Sequence, residues 1–157
     1  MSDATISVPP RVDDTSLLEM AHIRAIIERY FHALDARDAD SLASCFSETA
    51  QVTYRGAGAE FAMRGNTAIA DQLIRTVGRF TATIHALSNT VIAVSGSAAT
   101  ADSFAVAHVI ADGHALVRGL RYRDALTKTA TGWRIETRAH EPLWQYDVPT
   151  VPPHVPS

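Results

Sequence analysis

Along the first third of the chain, apolar residues recur at intervals of three and four. Met20, Ile23, Ile27, Tyr30 and Leu34 form one stripe, Phe31 widens it, and Glu19, Glu28 and Arg29 fall outside it. That period belongs to an amphipathic helix with one buried face. Ser16-Leu17-Leu18-Glu19 has the spacing of a capping box and predicts the helix start. A short second helix, capped by Asp38 or Asp40, is expected through Leu42 and Phe46. Ala50 to Tyr54 and Glu60 to Arg64 read as short strands about a turn at Gly56 and Gly58. Asn66 is placed to cap a third helix, whose Ile69, Leu73 and Val77 share a face and which Gly78 ends.

From residue 81 onward the period falls to two. Turn signals at Ser95-Gly96-Ser97, Asp112-Gly113 and Thr131-Gly132 divide this stretch into four strands. In the first, His85 keeps the parity of Leu87, Asn89 and Val91; in the second, His108 keeps that of Phe104, Val106 and Ile110. Side chains two apart share a sheet face, so both imidazoles are expected among bulky apolar residues, facing one concavity. The third strand, 114–126, carries Arg118, Arg121 and Arg123 on both faces, and we expect these arginines at subunit contacts or in solvated ion pairs. In the fourth, Trp133, Ile135 and Thr137 alternate with Arg134, Glu136 and Arg138.

Helices gathered before an antiparallel meander imply an α+β fold, a cone-shaped barrel in which a curved sheet wraps the first helix. The expected organisation is an extended arm over 1–13, one domain over 14–142 and a proline-rich tail over 143–157. At 157 residues the chain is the size of a single domain. With 46% hydrophobic and 20% charged residues and a formal charge of -3, it lacks the basic runs of a nucleic-acid surface. No apolar run approaches the roughly 18 residues of a membrane span, and the N-terminus has no signal pattern, so a cytoplasmic location is expected. Cys45 is the single cysteine, which excludes an intramolecular disulfide and a cysteine zinc site.

Asp35 stands out in this pattern. It extends the edge of the buried stripe near the first helix's C-terminus, where the dipole disfavours a negative charge, so it needs a partner. Histidine, with a pKa near neutrality, is the natural acid or base among the candidates. A set of His85, His108 and Asp35 could also ligate a metal, since two histidines and a carboxylate are a known iron or zinc set. His22 and His32 are ten residues apart on one helix and read as surface or interface residues; His140 and His154 have no predicted partner.

Leu34-Asp35 followed by DSLASCFSETA, the TIHALSN segment around His85, and GWRI with Trp133 together resemble the SnoaL-like group of the nuclear-transport-factor-two-like superfamily, which contains scytalone dehydratase and hexachlorocyclohexane dehydrochlorinase. The resemblance spans roughly 14–142. It implies that Asp35 pairs with His85, leaving the other ring nitrogen with a lone pair to remove a proton. It also matches His108 to a second histidine of the dehydratase, which would protonate a leaving group or hold a carbonyl. Leu34 stands where the dehydratase has a tyrosine; Tyr54 resembles its second water-holding tyrosine by strand order, and Tyr30 enters the pocket or packs in the core. The resemblance implies no metal and no organic cofactor.

The expected activity is therefore a cofactor-independent lyase that removes water, halide or formaldehyde from a hydroxylated aromatic or alicyclic molecule. Its substrate would be small and apolar or aromatic, in contact with Tyr30, Tyr54, Phe104, Asn89 and Leu120, with Phe46, Phe61, Met63, Leu73, Val77, Phe80, Leu87, Val106, Leu116 and Trp133 in the wall. An isomerase or cyclase using the same base is one alternative, and a non-catalytic subunit like those of ring-hydroxylating dioxygenases is another. The related lyases form trimers through the outer sheet face, so a homotrimer is expected.

Overall fold

A computed structural model describes residues 13–56 and 59–151. The elements run α1 (Asp14–Ala36), α2 (Ala39–Ala43), β1 (Phe46–Gly56), β2 (Ala59–Arg64), α3 (Asn66–Val77), β3 (Ala82–Ser95), β4 (Ala98–Ala111), β5 (His114–Thr129) and β6 (Gly132–Pro149). The six strands form one mixed sheet in the order β2-β1-β6-β5-β4-β3, in which only β1 and β6 are parallel. β2 and β3 are its free edges, so the sheet is a curved, open wrap and not a closed barrel. α1 lies in its concavity, with Ile23, Ile27, Tyr30, Phe31 and Leu34 buried. The predicted α+β architecture is the one observed.

Local chemistry accounts for the boundaries. Asp13, not Ser16, caps α1: its carboxylate accepts the Ser16 amide at 2.7 Å. Glu19 is thereby free for tertiary work, accepting from Lys128 and from the Trp133 indole N–H. Arg37 ends α1 in the left-handed region at φ 58°, and Asp38 caps α2 one residue later. Phe46 opens β1 instead of closing α2. Gly65, not Asn66, occupies the cap position of α3, at φ 84°. Asp112 and Gly113, at φ 51° and 77°, form the two-residue turn between β4 and β5.

Strand register decides which side chains meet. His85 pairs with Ala107, and Ala107 with Arg118, placing these three in one row on the concave face. A second row runs Ser103, Tyr122, His140, Tyr54, Phe61 across β4, β5, β6, β1 and β2. Beneath it lies a buried ion pair in which Arg138 donates to Asp124 from Nε and Nη2, both at 2.7 Å. The Arg138 guanidinium lies 4.0 Å from the centre of the Tyr30 ring and 4.8 Å from that of Tyr122.

Three expectations change here. β4 turns its small residues, Ala99, Ala101, Ser103, Ala105 and Ala107, inward, leaving room for the aromatic residues of α1; its bulky residues Phe104, Val106, His108 and Ile110 face outward. β3 is bulged between Leu87 and Thr90, so Asn89 sits in the irregularity and is exposed instead of following His85 inward. β6 continues to Pro149, so residues 143–149 are a strand and not a loose tail. The pairing of β6 with β1 ends at His140, so Pro142 and Pro149 lie where β6 has one neighbour and missing amides cost little. The expected arm, apart from Asp13, and residues 152–157 of the tail lie outside the described residues.

Candidate active site

The concave face and α3 enclose a cavity of about 610 Å³. Leu34, Phe61, Met63, Leu73, Val77, Phe80 and Leu120 supply much of its apolar wall. Tyr30, Tyr54, Tyr122, His85, His140 and Arg118 converge on it as polar groups. A few polar groups within an aromatic and aliphatic wall is the usual make-up of a small-molecule site.

His85 and Asp35 meet at the wall. The Asp35 carboxylate accepts from the His85 ring Nδ1 at 2.7 Å, from the His85 backbone amide at 2.7 Å and from the Thr83 hydroxyl at 2.8 Å. Alternation on β3 turns both Thr83 and His85 toward α1, and the end of that helix delivers Asp35 to them. Burial raises the cost of the Asp35 charge, yet the His85 and Thr83 hydrogen bonds outweigh it and hold the carboxyl below its ordinary value. An ionised carboxylate only accepts, so the Nδ1 it meets carries the proton and Nε2 of the neutral ring carries the lone pair. Phe31 stacks on the imidazole, with centroids 5.8 Å apart, and fixes its plane.

Also lining the cavity are Tyr30 and Tyr54, whose hydroxyls are hydrogen-bonded to each other. Only one can donate to its partner, so one phenolic proton of the two is free for another acceptor. Burial holds both phenols above their ordinary value, and they stay protonated. Tyr54 stacks on His140 at 4.5 Å. Burial, with the Arg118 and Arg138 charges acting in the same direction, pushes the His140 imidazole down to about 3, so this ring is neutral at physiological pH. Its Nδ1 is buried with no hydrogen-bond partner among the described residues.

Of the residues singled out in the sequence, His85, Tyr30, Tyr54, Leu120, Phe61, Met63, Leu73, Val77 and Phe80 line the cavity, and Asp35 stands behind His85; Phe46, Leu87, Val106, Leu116 and Trp133, expected in the wall, do not line it. His108 does not. It is paired with Ile84 and Val117 on the outer face, while its neighbours Ala107 and Val109 line the cavity. Phe104 shares that outer face, beneath the Arg121 guanidinium. His85, His108 and Asp35 therefore cannot converge on one metal ion, and the described residues hold no cluster of three or more His, Cys, Asp or Glu side chains that could. Three of the converging polar groups, Tyr122, His140 and Arg118, are not among the site residues expected from the sequence, and Tyr122 carries no signal there beyond strand alternation. His140 fell at an expected strand end without a partner, and Arg118 was assigned to the surface; each is placed by cross-strand pairing that periodicity does not contain. Arg121 and Arg123 do lie outside, paired with Asp102 and Glu141.

The SnoaL-like domain profile matches residues 15–139. The chain belongs to the SnoaL-like family. Its fold is that of the nuclear-transport-factor-two-like superfamily. A candidate scytalone dehydratase from Novosphingobium aromaticivorans is 27% identical and superposes with a TM-score of 0.75, over 92% of this chain and 93% of that one. A hexachlorocyclohexane dehydrochlorinase from Novosphingobium barchaimii shares the fold at 19% identity, with a TM-score of 0.75 over 87% and 97%. A Mycobacterium tuberculosis protein of unknown function superposes at 24% identity and a TM-score of 0.73, over 82% and 74%. No curated protein matches this SnoaL-like chain significantly. No helix among its described residues is long and apolar enough to cross a membrane.

Proposed function

We propose that this SnoaL-like protein is a cofactor-independent lyase that eliminates water, or a comparably small leaving group, from a hydroxylated aromatic or alicyclic molecule. The observation that carries the reading is the Asp35–His85 hydrogen bond, which leaves a basic ring nitrogen on the wall of a mostly apolar cavity. The dehydratase and dehydrochlorinase names of its structural neighbours support the same class of chemistry.

In this reading His85 Nε2 takes a proton from carbon. The C–H electrons form the new double bond as the bond to the leaving group breaks. Asp35 orients the ring and stabilises the imidazolium as it forms. The free phenolic proton of the Tyr30–Tyr54 pair goes to the departing oxygen or holds a developing oxyanion, the role first expected of His108. Release of the proton from His85 to solvent and reprotonation of the phenol restore the starting state. An isomerase would use the same base and retain every atom.

The test incubates purified protein with hydroxylated aromatic and alicyclic compounds and follows product mass. Loss of water, hydrogen halide or formaldehyde identifies a lyase, and an isomer of unchanged mass supports the alternative. His85→Ala is expected to lower kcat by about 10²- to 10⁴-fold. Asp35→Asn is expected to lose activity as well, because an amide can hold the ring in the wrong tautomer. Unchanged turnover in both variants would sink the mechanism.

A further inference from the structure

The charges around the cavity do not balance. Arg55, Arg79 and Arg118 contribute to its lining, and no Asp or Glu among the described residues does. Arg55 is exposed and bonded to Glu60 at 2.8 Å. Arg118 is different. It is half-buried, no ion pair or hydrogen bond joins its side chain to any described residue, and its Nε is buried without a partner. An unpaired guanidinium beside apolar and aromatic walls is costly, and an anion of matching shape removes that cost. Its planar fork fits the two oxygens of a carboxylate better than a single hydroxyl. A carboxylate is also ionised at neutral pH, whereas a simple phenol is not.

Register fixes where such an anion would sit. Arg118 and His85 occupy the same cross-strand row, with Ala107 between them. Two strand spacings separate them, roughly 10 Å between backbones. The Ala107 methyl forms a low floor between base and cation, leaving space for a carbon skeleton lying from one to the other. His140 adds an unpartnered Nδ1 two rows along the same face, beyond the row of Ala105 and Leu120.

We propose that the substrate is an organic acid and that Arg118 is its carboxylate anchor, setting specificity by holding the acid end while the reacting carbon lies at His85. This deepens the lyase reading and rests on it. The overall charge of -3 makes the local concentration of arginine a property of the site and not of the molecule.

Binding tests the anchor without catalysis. Cinnamate, 4-hydroxycinnamate and biphenyl-4-carboxylate are each compared with the primary amide of the same skeleton by calorimetry, using the full chain at neutral pH. The acids are expected to bind at least about tenfold more tightly than their amides, as suits a charge-assisted hydrogen bond. Arg118→Met should remove the preference, and Arg118→Lys should keep part of it. Circular dichroism and thermal midpoints establish that the variants are folded; should Arg118→Met not fold, Arg118→Gln takes its place. Equal binding of acids and amides by the wild type, failure of every acid to bind, or a preference surviving in the neutral variant would each overturn the proposal. His85→Ala separates the two readings: it is expected to lower kcat by about 10²- to 10⁴-fold yet retain the preference for acids. Loss of the preference with His85-dependent turnover intact removes only the anchor, whereas turnover independent of His85 removes the lyase reading.

Discussion

His140 links the cavity to a measurable pH dependence of stability. In the folded protein its imidazole titrates at about 3, against an ordinary value of 6.5, chiefly because burial disfavours the charged ring. Between those values the unfolded chain binds a proton that the native state refuses. The contribution of His140 to stability is therefore complete above pH 6.5 and is lost as pH falls toward 3. Linkage puts the loss between pH 8 and pH 5 at about 2 kcal/mol, since at pH 5 the unfolded imidazole is almost fully protonated and the native one is not. Other groups titrate over the same range, so the comparison is with His140→Phe, which keeps a ring against Tyr54 and removes the ionisable nitrogens. Urea unfolding followed by tryptophan fluorescence at both pH values should show the wild type losing about 2 kcal/mol more than the variant. Parallel losses, within about 0.5 kcal/mol, would refute a neutral buried imidazole, the variant's constant packing change having cancelled in the difference.

Other consequences are equally open to measurement. Asp124→Asn should cost about 3–5 kcal/mol in urea unfolding, because Arg138 keeps its charge with no counter-ion, and Asp124→Leu combined with Arg138→Met should recover much of that loss. On the outer face Trp144, Tyr146 and Val148 are exposed, across β5 from Val106, His108 and Ile110. We propose that a second copy of the chain covers them, so light scattering should give a mass above the 17.0 kDa of one chain, and Trp144→Glu with Tyr146→Glu should lower it. A single-chain mass for the wild type would reject self-association. A side chain at Gly119 would place its Cβ 2.1 Å from the Trp144 ring, so Gly119→Ala should displace the indole and change its near-ultraviolet circular dichroism. An unchanged spectrum would mean that Trp144 does not lie over Gly119.

Much of the fold was legible in residue order because its signals are local. The three-and-four spacing from Met20 to Leu34 follows the helix that buries it, and the turns at Gly96 and Gly113 divide the strands as expected, while the third falls one residue early, at Ala130-Thr131, with Gly132 opening β6. Asp35 was legible for the same reason: a carboxylate on the rim of an apolar stripe requires compensation, and three hydrogen bonds on β3 provide it. Cap positions moved because Ser16, three residues after Asp13, and Asn66, next to Gly65, look equally suitable in sequence.

The sequence alone determined the helix stripe of α1 and which residues share a face along the unbulged stretches of each strand, and through the family resemblance it paired Asp35 with His85. Only the tertiary structure decided which face is inside. On β4 that choice separated two histidines of like appearance, because the aromatic residues of α1 need the small side chains beneath them and push Phe104, Val106 and His108 outward. It also brought Arg118 into one row with His85, and His140 into another with Tyr54. Parity is a property of one strand, whereas facing direction, bulges and alignment across strands are set by what the whole sheet must enclose.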